Sequence, residues 1–313
     1  MPGAASAEPR SIRAAVPDQS AALLEGVVLS PRLGIAYLMR PGGSIDAVNL
    51  ASGKVRWRSD KAAKPLALIG DRLVAQAQGR GGNALDLVFL DARSGVSRDS
   101  VRIPLPAGVV ASVVDTPAGS FRVRAESVAT DLRVSWESTG GVAQGYLPAE
   151  NEGQAPEMAV VAGQAVLDLA SLTVKDEPAT RVAQSAALAG PALQELSAPA
   201  VKAQGRQLLS ADGRHVLVTE PVDAAEFTLY RHRWTLYERS SGARLGTVPA
   251  MVSASPFVVV GTTLYHTVPA HAVRREGKFV ENPATLHAVN LKTGAEMWKI
   301  AVRETAFRGP FPP

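Results

Sequence analysis

Apolar and polar residues alternate along most of this chain with a period close to two, in short runs punctuated by Gly, Asp, Asn, Ser and Pro. Residues 45–50 are typical: Ile45, Ala47 and Asn49 alternate with Asp46, Val48 and Leu50. Successive side chains of a strand point to opposite faces, so this period predicts strands, not helices. Asn49 then opens a turn. Its side chain can accept backbone amides further on, and Gly53 supplies the positive φ that closes the hairpin. The next strand, "KVRWRS", carries Trp57.

The frame "AVNLASGKVRW" at 47–57 returns as "AVNLKTGAEMW" at 288–298. Asn49, Gly53 and Trp57 are answered by Asn290, Gly294 and Trp298. Weaker copies lie between. "FLDARSGVSRD" has Asp91 in the Asn position and Gly95 in the turn, "LYERSSGARLG" has Glu238 and Gly242, and "LDLASLTVKD" has Asp168 but puts Leu172 where glycine stood. The tryptophan position is taken by Asp99, Asp176 and Gly246 in these three. "WESTGG" at 136–141 reads as a further variant of the turn.

Other glycine-containing hairpins separate the copies: "LIGDRLVAQ" (68–76), "SADGRHVLV" (210–218) and "VVVGTTLYHT" (258–267). Two consecutive hairpins make a four-stranded antiparallel unit of roughly 40–50 residues, the size of a propeller blade. The markers are spaced by 42 residues (49 to 91), 77 (91 to 168), 70 (168 to 238) and 52 (238 to 290). Each long gap has room for a blade without a marker. The expectation is an all-β propeller of about six blades, within a range of five to seven. Residues 21–303 form one domain in this reading, between a flexible tail at 1–20 and a Pro-rich tail at 304–313. The segments 148–160 and 176–206 read as insertions or degenerate blades, and "RVAQSAALAG" has enough alanine to allow a short helix.

Composition narrows the chemistry. Cysteine is absent from the 313 residues, which removes disulfides, thiolate metal sites and cysteine nucleophiles. The net charge is only +4, and its densest spots, "RHR" at 231–233 and Arg274-Arg275, read as solvated faces, not a nucleic-acid surface. The first twenty residues lack the apolar stretch of a signal peptide, and no run approaches membrane-spanning length. The chain as written reads as soluble and cytoplasmic, or as periplasmic or extracellular if Met1 replaces a removed signal.

The frame A-V-N-L-x-[ST]-G-x-x-x-W resembles the tryptophan-docking repeat of pyrroloquinoline-quinone-like β-propellers, a bacterial family of both quinoprotein dehydrogenases and non-enzymatic propellers. The resemblance is specific at 45–58 and 286–299 and runs as a pattern over 21–303. It implies that Trp57 and Trp298 pack between neighbouring blades, and that the junctions bearing Asp99, Asp176 and Gly246 are made differently. The family's enzymes use a quinone, a bound cation and commonly a disulfide of adjacent cysteines. This chain lacks the cysteines and is far shorter.

Tests for other chemistry fail as well. His215, His232, His266, His271 and His287 show no metal-ligand spacing, and His266 and His271 would lie on opposite faces of an unbroken strand. "DLVFLDARSG" lacks the alternating ligands of a calcium loop, and "GRGGN" at 79–83 fails the dinucleotide fingerprint. Asp91, Asp115 and Asp212 sit at turns, where capping is the expected role. Trp136 and Trp234 stand in β-like runs and read as packing between sheets, with an aromatic platform at a channel mouth or partner surface as the alternative. No catalytic, cofactor or metal residue is assigned, and no cofactor is expected. The residues singled out are those of the repeat: Asn49, Gly53, Trp57, Asp91, Gly95, Asp168, Gly242, Asn290, Gly294 and Trp298.

Fold does not settle function. Two expectations follow. The first is a non-catalytic scaffold that binds another protein. The second is a ligand-binding or enzymatic propeller working in its central channel, either a divergent quinoprotein or a saccharide-acting one. Charged side chains converging on the channel would favour the second, and a hydrophobic patch on a rim or edge the first.

Overall fold

The computed structural model describes residues 20–41, 43–78, 83–113, 120–139, 160–175, 179–183, 193–222, 232–250, 252–275 and 278–303. Every regular element among them is a strand. The first sheet runs β1 (Ala21–Leu24), β2 (Val27–Ser30), β3 (Ile35–Met39), β4 (Ile45–Asn49), β5 (Val55–Ser59). The second is β6 (Lys64–Ile69), β7 (Arg72–Gln76), β8 (Ala84–Asp91), β9 (Ser97–Pro104). The third is β10 (Ser120–Val128), β11 (Asp131–Thr139), β12 (Val160–Asp168), β13 (Ala179–Ala183). The fourth is β14 (Gln194–Glu195), β15 (Arg206–Leu209), β16 (His215–Pro221), β17 (His232–Glu238), β18 (Arg244–Ala250). The fifth joins β19 (Phe257–Val260), β20 (Thr263–Val268), β23 (Thr285–Asn290) and β24 (Glu296–Ala301). A separate two-stranded ribbon, β21 (His271–Arg275) with β22 (Lys278–Asn282), interrupts it in sequence.

All pairings within these sheets are antiparallel and join consecutive strands of each sheet, as in propeller blades. The first sheet is buried on both faces. Ile35 and Tyr37 of β3 pack with Leu73, Val88 and Leu90 of the second sheet, while Ala36 and Leu38 pack with Tyr265, Leu286 and Ala288 of the fifth. The first sheet is therefore gripped by the second on one side and by the last on the other, which closes the ring. The alternation at β3 is apolar on both sides, so the strand has no solvent face.

One device recurs at the outer edge of four sheets. The ladder shifts register between Ala47 and Val48, Phe89 and Leu90, Leu236 and Tyr237, and Ala288 and Val289. Each irregularity sits just before the marker turn, where a bulge adds twist and re-aims the chain.

Two local expectations need correction. Glu137, Ser138 and Thr139 of "WESTGG" do not form a turn. They continue β11, because β10 and β12 offer partners on both sides, with Ser138 facing Phe121 and Val161. Arg181, Val182 and Ala183, the start of the stretch whose alanine content allows a short helix, form β13 against Val160–Ala162. Gly140 and Gly141, residues 184–190, residues 1–19 and 304–313, most of 148–160, Arg231, Asp115 and Asp176 lie outside the described residues.

Candidate functional site

The five marker turns share one geometry. The Asn49 carboxamide oxygen accepts the Ser52 amide at 3.0 Å, and the Gly53 amide donates to the Asn49 carbonyl at 2.8 Å. Asp91 accepts Ser94 N at 2.8 Å, Asp168 accepts Ser171 N at 2.8 Å, and Asn290 accepts Lys292 N at 2.9 Å. Gly53, Gly95, Gly242 and Gly294 stand at φ between 68° and 73°. Leu172 adopts φ 56° in the glycine position and still closes the turn on the Asp168 carbonyl at 2.8 Å. The Asx side chain and the turn bond enforce a left-handed residue there even where a side chain costs about 1 kcal/mol or more. Burial would push the Asp91 carboxyl up, but bonds from Ser94, Arg98 and Arg93 outweigh it and hold the group at about 2.

The turns also receive the neighbouring sheet. Trp57 lies against Gly95, where a Cβ would stand 2.5 Å from the ring, and Trp298 lies against Gly53, where it would stand 2.7 Å from Cγ. The indole N–H of Trp57 donates to the Ala92 carbonyl at 3.2 Å, and Tyr37 Oη donates to the same oxygen at 3.0 Å. Trp298 Nε1 and Tyr265 Oη both donate to the Leu50 carbonyl at 3.0 Å. The paired rings are tilted at 5.8 and 5.9 Å between centroids. A tyrosine and a tryptophan thus hold one backbone carbonyl of the following sheet. Sequence reasoning named the tryptophans and missed the tyrosines. Tyr37 and Trp57 both flank Ala47 in the ladder, and Tyr265 and Trp298 both flank Ala288. The signal lay in that cross-strand row, but Tyr265 is further from its marker because the ribbon intervenes.

Sheets without the tryptophan use the same row differently. In the second, Tyr-Ala-Trp becomes Val74-Phe89-Asp99, which moves the bulk to the middle strand, where Phe89 is fully buried against the third sheet. In the fourth the row is Leu217-Leu236-Gly246. A Cβ on Gly246 would lie 2.1 Å from the Leu291 carbonyl, the counterpart of Leu50, so backbone approaches backbone where the indole would have stood. Trp136 and Trp234 are both fully buried, Trp136 beside Phe121 and Gly163, Trp234 with its N–H on the Val252 carbonyl at 3.0 Å.

His266 and His271 lie on different sheets, β20 and the ribbon. His266 instead faces His287 in the ladder, with the rings stacked at 5.2 Å, and meets the edge of Trp234 at 4.9 Å. Burial, reinforced by the neighbouring imidazole and only partly opposed by the Thr267 backbone, pushes His266 down to about 3. His287 is also lowered by burial, against the pull of a 2.8 Å contact with Glu296. Among the described residues no cluster of three or more His, Asp or Glu could hold a metal ion. No helix there is long and apolar enough to cross a membrane.

Among the described residues, the features suited to chemistry are two cavities whose linings bring acids and bases together and one projection; a third cavity of about 400 Å³ lies along the Pro199–Gln204 segment. An open cavity of about 750 Å³ lies where the Asp212–His215 and Glu238–Ser240 turns meet Pro31 and Gly261. Its acids are engaged internally: Asp212 accepts Ser210 Oγ at 2.6 Å and Arg214 N at 3.1 Å, and Ser241 bonds Glu238. A second cavity of about 290 Å³ lies among the first strands of three sheets, between the β1–β2 turn, β6 and β10. Lys64, 1% exposed, holds Glu25 there at 2.8 Å, and Arg124 and Glu126 line the far wall. The projection is the β21–β22 ribbon, which bonds to no other sheet among the described residues.

No family model matches this chain, and no curated protein does. Solved structures similar to it include a europium-containing methanol dehydrogenase, at 12% identity over 92% of this chain and 70% of that one, TM-score 0.27. BamB from Moraxella catarrhalis is 11% identical over 92% and 84% of the two chains, TM-score 0.24. The Cps50 (Swd1) β-propeller domain of Myceliophteria thermophila is 12% identical over 90% and 97%, TM-score 0.28. What this chain's own sheets establish is an all-β propeller, closed between its last sheet and its first.

Proposed function

We propose that the protein is a non-catalytic propeller that binds another protein, and that the β21–β22 ribbon is its recognition element. The observation that carries this reading is the ribbon itself. It leaves the fifth sheet between β20 and β23, pairs only with itself among the described residues, and carries exposed Arg274 and Lys278 beside Val280, 39% exposed. A ribbon with two open edges can add a partner strand through backbone hydrogen bonds, with flanking charges selecting an acidic segment. The blade does not need it: β20 and β23 pair directly over six residue pairs from Thr263↔Asn290 to Val268↔Thr285.

The test replaces residues 270–283 with a short Gly/Ser turn and compares the two proteins in affinity capture from the native host. A partner retained by the full chain and lost from the shortened one, with an unchanged melting temperature, supports the reading. Identical capture by both proteins refutes the assignment to the ribbon. A wild-type chain that retains no protein refutes the scaffold function itself.

A further inference from the structure

We propose that the inner cavity binds a small carboxylate that also carries a hydrogen-bond donor, with the Lys64 ammonium as its anchor. This inference stands apart from the ribbon and does not depend on it. β6, the first strand of its sheet, approaches both β2 of the first sheet and β10, the first strand of the third, so the cavity lies on the inner side of the ring. Lys64 enters it 1% exposed. Lysine is rarely buried so fully, and its ammonium carries three donors. One goes to Glu25 Oε2 at 2.8 Å; no other acceptor bonds the ammonium among the described residues. The Glu25 bond links the first sheet to the second, but that link accounts for a single donor. A buried donor without an acceptor is costly, so a ligand oxygen placed here recovers energy that the fold does not.

The rest of the lining selects the ligand. Arg124 and Glu126 reach the cavity from β10, and neither makes an ion pair among the described residues. Arg124 adds a second cation for a carboxylate. Glu126 repels a second negative charge and accepts from a hydroxyl or ammonium group. Leu24, Val28 and Leu66 supply apolar walls around a short carbon skeleton. At roughly 30 Å³ per water-sized group, the volume holds about ten such groups. A small hydroxy acid or amino acid fits these terms; a dicarboxylate or a phosphate does not.

Isothermal titration of the full chain with lactate, L-serine, succinate and inorganic phosphate tests this. Saturable binding of lactate or L-serine is expected, at least tenfold tighter than succinate or phosphate; which of the two binds identifies the donor as hydroxyl or ammonium. The double substitution Glu25→Gln with Lys64→Met removes both buried charges together and should weaken that binding at least tenfold. If the double variant does not fold by circular dichroism, Arg124→Ala, an exposed position, should weaken binding at least fivefold. The proposal is overturned if neither lactate nor L-serine binds the wild type. It is equally overturned if succinate or phosphate binds as tightly, or if the folded variant binds as the wild type does.

Discussion

Two junctions of the ring differ in a way opposite to chain connectivity. The fifth and first sheets meet where no covalent link joins them, yet their contact is the more elaborate. Leu286, Ala288 and Tyr265 share an apolar cluster with Leu29, Leu38 and Val48, and two aromatic donors converge on the Leu50 carbonyl. The backbone closes it as well: Arg303 N donates to the Met39 carbonyl at 2.9 Å. The third and fourth sheets are consecutive in the chain, and no apolar cluster among the described residues spans them. There the fourth sheet covers Val216 and Val218 with its own segment around Val201 and Ala203. Gln207, 4% exposed, pins that segment through Ala200 N, Val201 N, and the Val201 and Ala203 carbonyls at 2.8–3.2 Å. The seam that the chain does not link is thus held by the same kind of clamp that joins the first sheet to the second, whereas among the described residues the fourth sheet meets the third with a cover of its own.

The comparison can be broken most directly at Trp298. Trp298→Ala removes a large ring and its hydrogen bond from the seam and should cost about 3 kcal/mol in urea unfolding. A loss below about 0.5 kcal/mol would show that the indole does not hold the closure. Gly53→Ala attacks the same seam from the other side. It forces a side chain to φ 68° with its Cβ 2.7 Å from Trp298 Cγ, and should cost about 2 kcal/mol, measured likewise. Trp298→Ala combined with Gly53→Ala should cost less than the sum, because the clash disappears with the ring. Gln207→Ala probes the tethered junction. It strands backbone groups of the covering segment and should cost about 1–2 kcal/mol, less than the seam substitutions. A larger loss at Gln207 than at Trp298 would invert the comparison.

Acid probes the junction of the fourth and fifth sheets. His266 stays neutral in the fold down to about 3, whereas the unfolded chain takes up a proton near 6.5. Between those values the unfolded state binds more protons, so stability present above pH 6.5 is lost progressively as pH falls towards 3. His266 sits between the fourth and fifth sheets, facing Trp234 and His287, with Glu296 and Lys299 of β24 beyond His287. His266→Phe should flatten the slope of unfolding free energy against pH over that window. Asp91 and Asp168, both held at about 2, act only at lower pH, below about 4.

Much of this was legible because the turns are local. Asn49, Asp91, Asp168, Glu238 and Asn290 each close a turn on the residue four positions on, and five residues contain all that is needed. The strand period was legible for the same reason. In "RVAQSAALAG", whose alanine content allows a short helix, Arg181–Ala183 instead take the available edge of β12, which outweighs local preference there. At the inner cavity nothing was legible: Lys64 and Glu25 are 39 residues apart, and no spacing rule connects them.

By itself, then, the sequence determined the hairpins, their turn chemistry and the repeat that stacks them, since those depend on neighbours within a few residues. Only the tertiary structure decided what each turn touches. It put Trp298 on Gly53 across the ring, paired Tyr265 with Trp298, brought the backbone of Gly246 to Leu291, and buried Lys64 on an inner wall. Those contacts depend on which sheet stands beside which and how far apart they sit. That is set by the sum of many apolar contacts around the ring, which no short stretch of the chain encodes.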